Sequence, residues 1–548
     1  MANEPGSNRR QFFAALASAA STAAASSALT TEAKAEDAIG AAPMPPMQDR
    51  IARAHQMRMK LSDSFGALPP VEHPTNGDEE RYPNKINSFS KTLLHKPNGE
   101  TSLDAYRSLL KAVDSGSKED FQRILRGGNV RLKNPTGAYN FQLDGPDQSQ
   151  YTMAPAPAFD SATQAAEMVE LYWQALTRDV PFADYDSHPM IAAVSNELSS
   201  LQGFHGPKLD GRVTPRTVFR GILPGELTGP YLSQFLTRPF KMGSLEIDQR
   251  QKSALPDADF MMRYSEWFGI QLGEGKGPGT QHEDVARYIR NGRDMANFVH
   301  YDWGYSPYYH ALWMLLGFGA DAFTENNPYL TDKGQEPYVN FGPPDALDLL
   351  GHTAKPAFLA AWYQKWFVHR RARPEAIGAR IFQNAVGNEA YPIHDQIMNS
   401  RALASTFSKF GTYLLPQAYS EGCPGHSAYP SGHATVAGAC VTVLKAFFNE
   451  NFVIPDPMVA ASDGLSLKKY TDGELTVGNE LNKMAFNIAM GRNWAGIHFR
   501  SDASEGLKLG EEVAMQLLAS RSLTYLDEFE GFTFTRFNGE KVTIKRAA

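Results

Sequence analysis

The chain has 548 residues, 42% of them hydrophobic and 21% charged, an ordinary globular composition that excludes a wholly disordered or fibrous protein. Its 53 basic and 60 acidic residues leave a net charge of -7, which excludes a general nucleic-acid binder. The 2 cysteines, Cys423 and Cys440, exclude a disulfide scaffold and a cysteine-built metal centre, and no apolar run reaches the roughly 18 residues of a transmembrane helix.

Residues 1–35 read as an export signal. Arg9-Arg10 is followed by Gln11-Phe12-Phe13, an Ala/Ser stretch and Ala33-Lys34-Ala35, and the arginine pair resembles a twin-arginine signal, although Asn8 stands where Ser or Thr is usual. A periplasmic or extracellular destination follows from this reading. Residues 36–136 are read as an arm, rich in Pro, Asn and charge up to about residue 100, followed by first helices. From 159 to 179 apolar residues recur at helical spacing after a cap at Asp160 or Ser161. The same spacing predicts helices over 190–201, 282–302, 306–317, 356–371, 374–385, 431–449, 479–492 and 498–520. Near the end, Asn538-Gly539 between two alternating runs predicts a type I′ hairpin. The expected fold is mainly α: two helical bundles, 137–350 and 351–520, packed together, with a small β-hairpin in the tail 521–548.

Three clusters in the C-terminal third suit a tetrahedral oxyanion. In the first, Lys365 lies on a helix that Pro374 ends near Arg373, so that arginine projects from a turn. Alone, this is also an ordinary basic helix end. In the second, Tyr429-Pro430-Ser431-Gly432-His433 opens an apolar helix. The Ser431 hydroxyl and Gly432 N–H then face an anion on the helix N-terminus, with His433 beside it for proton transfer. Ser431 alone is equally a plain N-cap. In the third, Arg492 ends one helix, His498 begins the next, and Asp502 lies four residues on, on the same face or simply as a helix-dipole carboxylate.

Together the clusters resemble the signature Lys-x(6–7)-Arg-Pro, Pro-Ser-Gly-His and Arg-x5-His-x3-Asp, shared by vanadium-dependent haloperoxidases and type-2 phosphatidic acid phosphatases. The segments 167–185, 219–234, 284–302 and 365–378 further resemble the helical bromoperoxidases of marine algae and cyanobacteria. The resemblance implies a vanadate cofactor bonded to His498 as the single metal ligand. Lys365, Arg373, Arg492, Ser431 and the Gly432 amide would hold its oxygens, and Asp502 would support His498. His433 would be the acid–base histidine. Lys365 would also polarise bound hydrogen peroxide. His426 matches a second histidine of the bromoperoxidases, and otherwise reads as a loop histidine. The implied reaction oxidises bromide or iodide with hydrogen peroxide to hypohalous acid, which halogenates small organic acceptors. The implied assembly is a homo-oligomer. An acid phosphatase with His498 as nucleophile is the alternative, and a phosphate-sequestering protein a third reading.

Two lesser features stand apart. Asp321, Glu325, Asn326, Asn327 and Asp332 surround a loop that could hold structural calcium, as related enzymes do, or be a plain polar loop. Cys423 and Cys440 could pair, or remain buried thiols.

Overall fold

The computed structural model describes residues 47–275 and 277–545, so the export-signal reading of residues 1–35 lies outside the described residues. The helices of eight residues or more are α1 (Met47–Gly66), α2 (Leu103–Ser115), α3 (Ala162–Thr177), α4 (Pro189–Ser200), α5 (Tyr264–Leu272), α6 (Gly292–Tyr301) and α7 (Ser306–Gly317). They continue with α8 (Pro343–Tyr363), α9 (Pro374–Ala385), α10 (Arg401–Phe410), α11 (Gly432–Phe447), α12 (Val477–Trp494) and α13 (Arg500–Ser522). Strands occur as three antiparallel hairpins: β1 (Phe240–Met242) with β2 (Leu245–Ile247), β3 (Met458–Ala460) with β4 (Leu467–Lys469), and β5 (Phe532–Thr535) with β6 (Lys541–Ile544). The fold is therefore mainly helical with a C-terminal hairpin, as expected. The main apolar core draws residues from Tyr82 to Phe537 and so joins both halves, with two smaller clusters around Leu109 and Trp267 beside it.

The centre is α11, packed against α8, α12 and α13. Its residues from Ala434 to Phe447 are all buried, so this helix is apolar all round. Glycines let α11 and α13 meet backbone to backbone: a Cβ on Gly438 would strike the Leu507 carbonyl, and one on Gly510 the Thr435 carbonyl. This approach sets the N-terminus of α11 beside the N-terminus of α13.

Several elements differ from the sequence expectation. Over 282–302 only Gly292–Tyr301 is helical. Residues before it are extended, with Gln251 and Arg287 exchanging two backbone hydrogen bonds of 2.8 Å. The Asn291 side chain accepts from Asp294 N–H at 2.9 Å and so starts the helix there. The helix expected from Pro356 instead begins at the Pro343-Pro344 pair, passes through Pro356 and ends in a π-helical turn, Gln364–His369. The tail hairpin is not type I′: Gly539 alone is left-handed (φ 86°), and Arg536 and Glu540 are hydrogen-bonded at 2.8 Å across a longer loop. Within the stretch read as an arm with first helices, α1 is helical and none of its residues is buried.

Candidate active site

Four chain segments converge beside the α11 N-terminus. The first is the stretch after the π turn. Arg370 takes a left-handed conformation (φ 39°), and residues 371–373 run extended between two neighbours. Phe89 N–H donates to Arg370 O at 2.7 Å, and Ala428 N–H to Arg371 O at 3.1 Å. Alternation along an extended chain separates the side chains. Arg370 pairs with Glu79 (2.7 Å), whereas Arg371 and Arg373 reach Asp502 and His498.

His498 is 2% exposed, and its orientation is fixed from both sides. Nδ1 donates to Asp502 Oδ2 at 2.8 Å, which leaves Nε2 with its lone pair free to accept from Arg373 Nη1 at 3.0 Å. Burial, and then the charges of Arg373, Lys365 and Arg492, hold its pKa well below the ordinary histidine value, so the ring is neutral. Asp502 is fully buried. Its second oxygen takes Arg371 Nη1 at 2.7 Å, its carboxylate also accepts Phe499 N–H at 3.1 Å, and its carbonyl accepts Ser431 N–H at 2.9 Å. Asp502 thus links three of the four segments. The sequence left it open as a helix-dipole carboxylate; here it grips the imidazole.

Lys365, on the π turn, is fully buried and donates to the carbonyls of Ser427 (2.7 Å) and Ala428 (2.8 Å). Burial first, then Arg373, drives its pKa well below the usual lysine value. Arg373 donates to His426 O (2.9 Å) and Ile497 O (2.8 Å), and burial pushes it down to about 10. Arg492 donates to Val299 O at 2.7 Å, lies 5.6 Å from the Tyr419 ring centre, and its buried Nε has no partner. Among the described residues no carboxylate lies within ion-pair distance of Lys365, Arg373 or Arg492, because Arg371 takes both Asp502 and Glu167. Buried cations without a counter-charge are costly, and a bound oxyanion offsets that cost. Ser431 caps α11 through a long 3.4 Å bond to Ala434 N–H, so its hydroxyl is loosely committed. Gly432 begins the helix.

Two further histidines flank this cluster. His433 is 20% exposed, and its Nε2 lies 3.0 Å from Asp302 Oδ1. Burial would raise the Asp302 carboxyl, but His433, the Gly304 N–H and Arg492 together outweigh it and hold the pKa below the ordinary value. His426 is buried between Trp362 (ring centres 4.8 Å apart) and Arg373, whose Nη2 donates to Nδ1 at 2.9 Å. Burial, then Arg373 and Lys365, keep its pKa well below the usual range.

All the oxyanion candidates named from the sequence therefore meet in one place. Arg371, Asp302, Tyr419 and Trp362 belong there too. Arg371 had a signal, since it sits in the same basic run as Arg373; Asp302 and Tyr419 had none. The calcium candidates do not converge. Asn326 donates to Thr533 Oγ1 (2.8 Å), Asn327 caps Tyr329 N–H (3.1 Å), and Asp332 accepts Gly334 N–H (2.7 Å). Among the described residues no three His, Cys, Asp or Glu side chains gather as a metal group. Cys423 and Cys440 are both free and buried.

Residues 348–525 match the family described as the VCPO second helical-bundle domain. The vanadium-dependent bromoperoxidase of Ascophyllum nodosum is 34% identical over 484 residues, 83% of this chain and 86% of that protein. The vanadium-dependent bromoperoxidase of Corallina officinalis is 34% identical over 597 residues, covering 92% of this chain and all of the relative. Among solved structures, the homohexameric second vanadate-dependent bromoperoxidase from Ascophyllum nodosum superposes with a TM-score of 0.88 at 26% identity over 95% of each chain. With identity of this extent over nearly the whole length, the chain belongs to the vanadium-dependent bromoperoxidases.

Proposed function

We propose that the protein is a vanadate-dependent peroxidase that oxidises bromide, and iodide, with hydrogen peroxide to hypohalous acid, which then halogenates small organic acceptors. The observation that carries this reading is the set of three buried basic side chains without carboxylate partners near the unprotonated Nε2 of a neutral histidine. Its donors suit vanadate: one imidazole nitrogen for the metal, and Lys365, Arg373, Arg492, the Ser431 hydroxyl and the Gly432 N–H for the oxygens.

Bound vanadate would supply Lewis acidity that activates hydrogen peroxide toward a halide without a change of metal oxidation state. The protein's part is charge, orientation and protons. Asp502 holds the His498 tautomer, as the partners of metal-bound histidines do. Lys365 is anchored by two carbonyls, and its ammonium form, favoured by a bound oxyanion, would have a third N–H for a peroxide oxygen. His433, at the solvent side and braced by Asp302, moves the protons that peroxide binding and halide oxidation require. His426 tunes the local potential beside Arg373 and so halide preference.

The acid-phosphatase alternative, with His498 attacking phosphorus, has no support from the relatives' names. Structural calcium has none from the loop at 321–332. We read the assembly as a homo-oligomer, in keeping with the hexamer of the structural relative, and residues 1–35 as routing the chain out of the cytoplasm by the twin-arginine pathway. The deciding experiment is bromination of a chromogenic acceptor by the purified protein with peroxide and bromide, with and without added vanadate. Vanadate-dependent turnover is expected. Turnover that ignores vanadate, or none with stoichiometric vanadate bound, would overturn the reading.

A further inference from the structure

One tryptophan packs on a site residue and another follows the His433 partner in the chain, and they are presented in opposite ways. Trp362 is partly buried against His426, and its Nε1 is engaged, donating to the carbonyls of Lys133 (3.3 Å) and Asn134 (3.0 Å). Trp303 is bare. It follows Asp302, the partner of His433, and is 89% exposed. Its backbone is left-handed (φ 54°), which is uncommon for so bulky a residue. The turn is held by Asp302 Oδ1, which accepts Gly304 N–H at 3.0 Å as well as facing His433. Gly304 is pressed on Phe358, since a Cβ there would lie 2.8 Å from that ring. Cε1 of the same ring lies 3.6 Å from the Cβ position of Gly432. A single phenyl ring therefore separates the turn of Trp303 from the N-terminus of α11.

The chain has 7 tryptophans. Trp173, Trp267, Trp366 and Trp494 are at most 2% exposed, and Trp313 and Trp362 are partly buried. An indole is among the most reactive carbon nucleophiles in a protein toward electrophilic bromine, ahead of the phenols of Tyr301 and Tyr305 nearby. We propose that Trp303 is this protein's own first acceptor: an exposed indole, on the turn that carries the His433 partner Asp302, that is brominated during turnover. The inference rests on the peroxidase reading above, which supplies the hypobromous acid. In the step, a pyrrole-ring carbon attacks bromine, the C–Br bond forms as the O–Br bond breaks, and the ring C–H proton joins the departing hydroxide as water. Bromine is reduced from +1 to -1 and carbon is oxidised by two electrons, so no other reactant is needed.

The test uses the full-length, vanadate-loaded protein turning over peroxide and bromide with a small soluble bromine acceptor in large excess, followed by peptide mass spectrometry. Bulk hypobromous acid is reported in the same digest by bromide-dependent oxidation of the exposed thioethers Met47 (73%) and Met59 (48%), above the level that peroxide alone gives, on a helix that carries none of the site residues. The expected result is the paired-isotope signature of one bromine on the Trp303 peptide, persisting under the scavenger while Met47 and Met59 stay at the level of oxidation seen without bromide. Trp303→Phe should turn over bromide at the parent rate and lose that label. Turnover with no bromine on Trp303, or a label that disappears with scavenger in step with oxidation of the two methionines, would overturn the proposal and leave the peroxidase reading intact. Absence of acceptor bromination altogether would instead remove the peroxidase reading, and this inference with it.

Discussion

His498 and Asp502, one helical turn apart, are joined by a 2.8 Å hydrogen bond from Nδ1–H to Oδ2, which leaves Nε2 as a lone-pair donor among three cations. Only a neutral imidazole of that tautomer can bond a metal through Nε2. The carboxylate is itself fixed by Arg371 and the Phe499 amide, so the ring cannot turn without losing its buried hydrogen bond to a rigidly held acceptor.

His498→Ala should therefore abolish vanadate binding, because it removes the one atom proposed to bond the metal. Asp502→Asn should weaken it by about 10–100-fold, the usual cost of losing the partner of a metal-bound histidine. Equilibrium dialysis with vanadium analysis measures both. Unchanged affinity in Asp502→Asn would show that Arg373 alone orients the ring.

His433→Ala should keep vanadate yet lose turnover by about 10²–10⁴-fold, the range for a general acid–base group. The cations and His498 remain in place, while the exposed proton carrier is gone. Steady-state bromide kinetics on samples of matched vanadium content separate the two effects. Loss of vanadium and turnover together would make His433 part of the binding cage.

His95 and His369 make the vanadate-free protein sensitive to acid. Burial pushes His95 down to about 4 and His369 down to about 3, against about 6.5 in the unfolded chain. Below that value the unfolded state takes up protons that the folded state refuses, so stability falls as pH drops from about 6.5 to about 4. Each group contributes up to about 1.4 kcal/mol per pH unit in that window. Thermal unfolding of parent and His95→Gln across the window checks the sign. The substitution should flatten the profile, and an unchanged slope would contradict the burial argument.

Gly510→Val should cost about 1–3 kcal/mol or more, as overpacking does, because its side chain meets the α11 backbone at Thr435. It should also weaken vanadate binding, since α11 and α13 carry Ser431 and Asp502 at their N-termini. Denaturant unfolding and vanadium uptake are the two readouts. Wild-type values in both would mean the helices separate without disturbing the site.

Much of this protein is written locally. The spacing of apolar residues delimits α3, α7, α9 and α11, because a helix with one or more buried faces must repeat with the helical period. The oxyanion residues are legible because each is tied to a helix end, where caps, prolines and glycines leave short-range marks. Where local marks competed, the sequence misled. Pro356 looked like a helix start although the Pro343-Pro344 pair had already begun α8, and the period before Asn291 looked helical although backbone pairing with residues near 251 holds it extended.

What only the tertiary structure decided is which charges remain unpaired. Sequence shows Arg371 and Arg373 as equals in one basic run, but the extended segment gives Arg371 to Asp502 and Glu167 and leaves Arg373 without a carboxylate. Asp302 and Tyr419 reach the site from segments far away in sequence, and neither carries a local mark of that role. The reason is physical: helix formation depends on neighbours three or four residues away, whereas neutralising a buried charge depends on every group within a few ångströms, whatever its place in the chain.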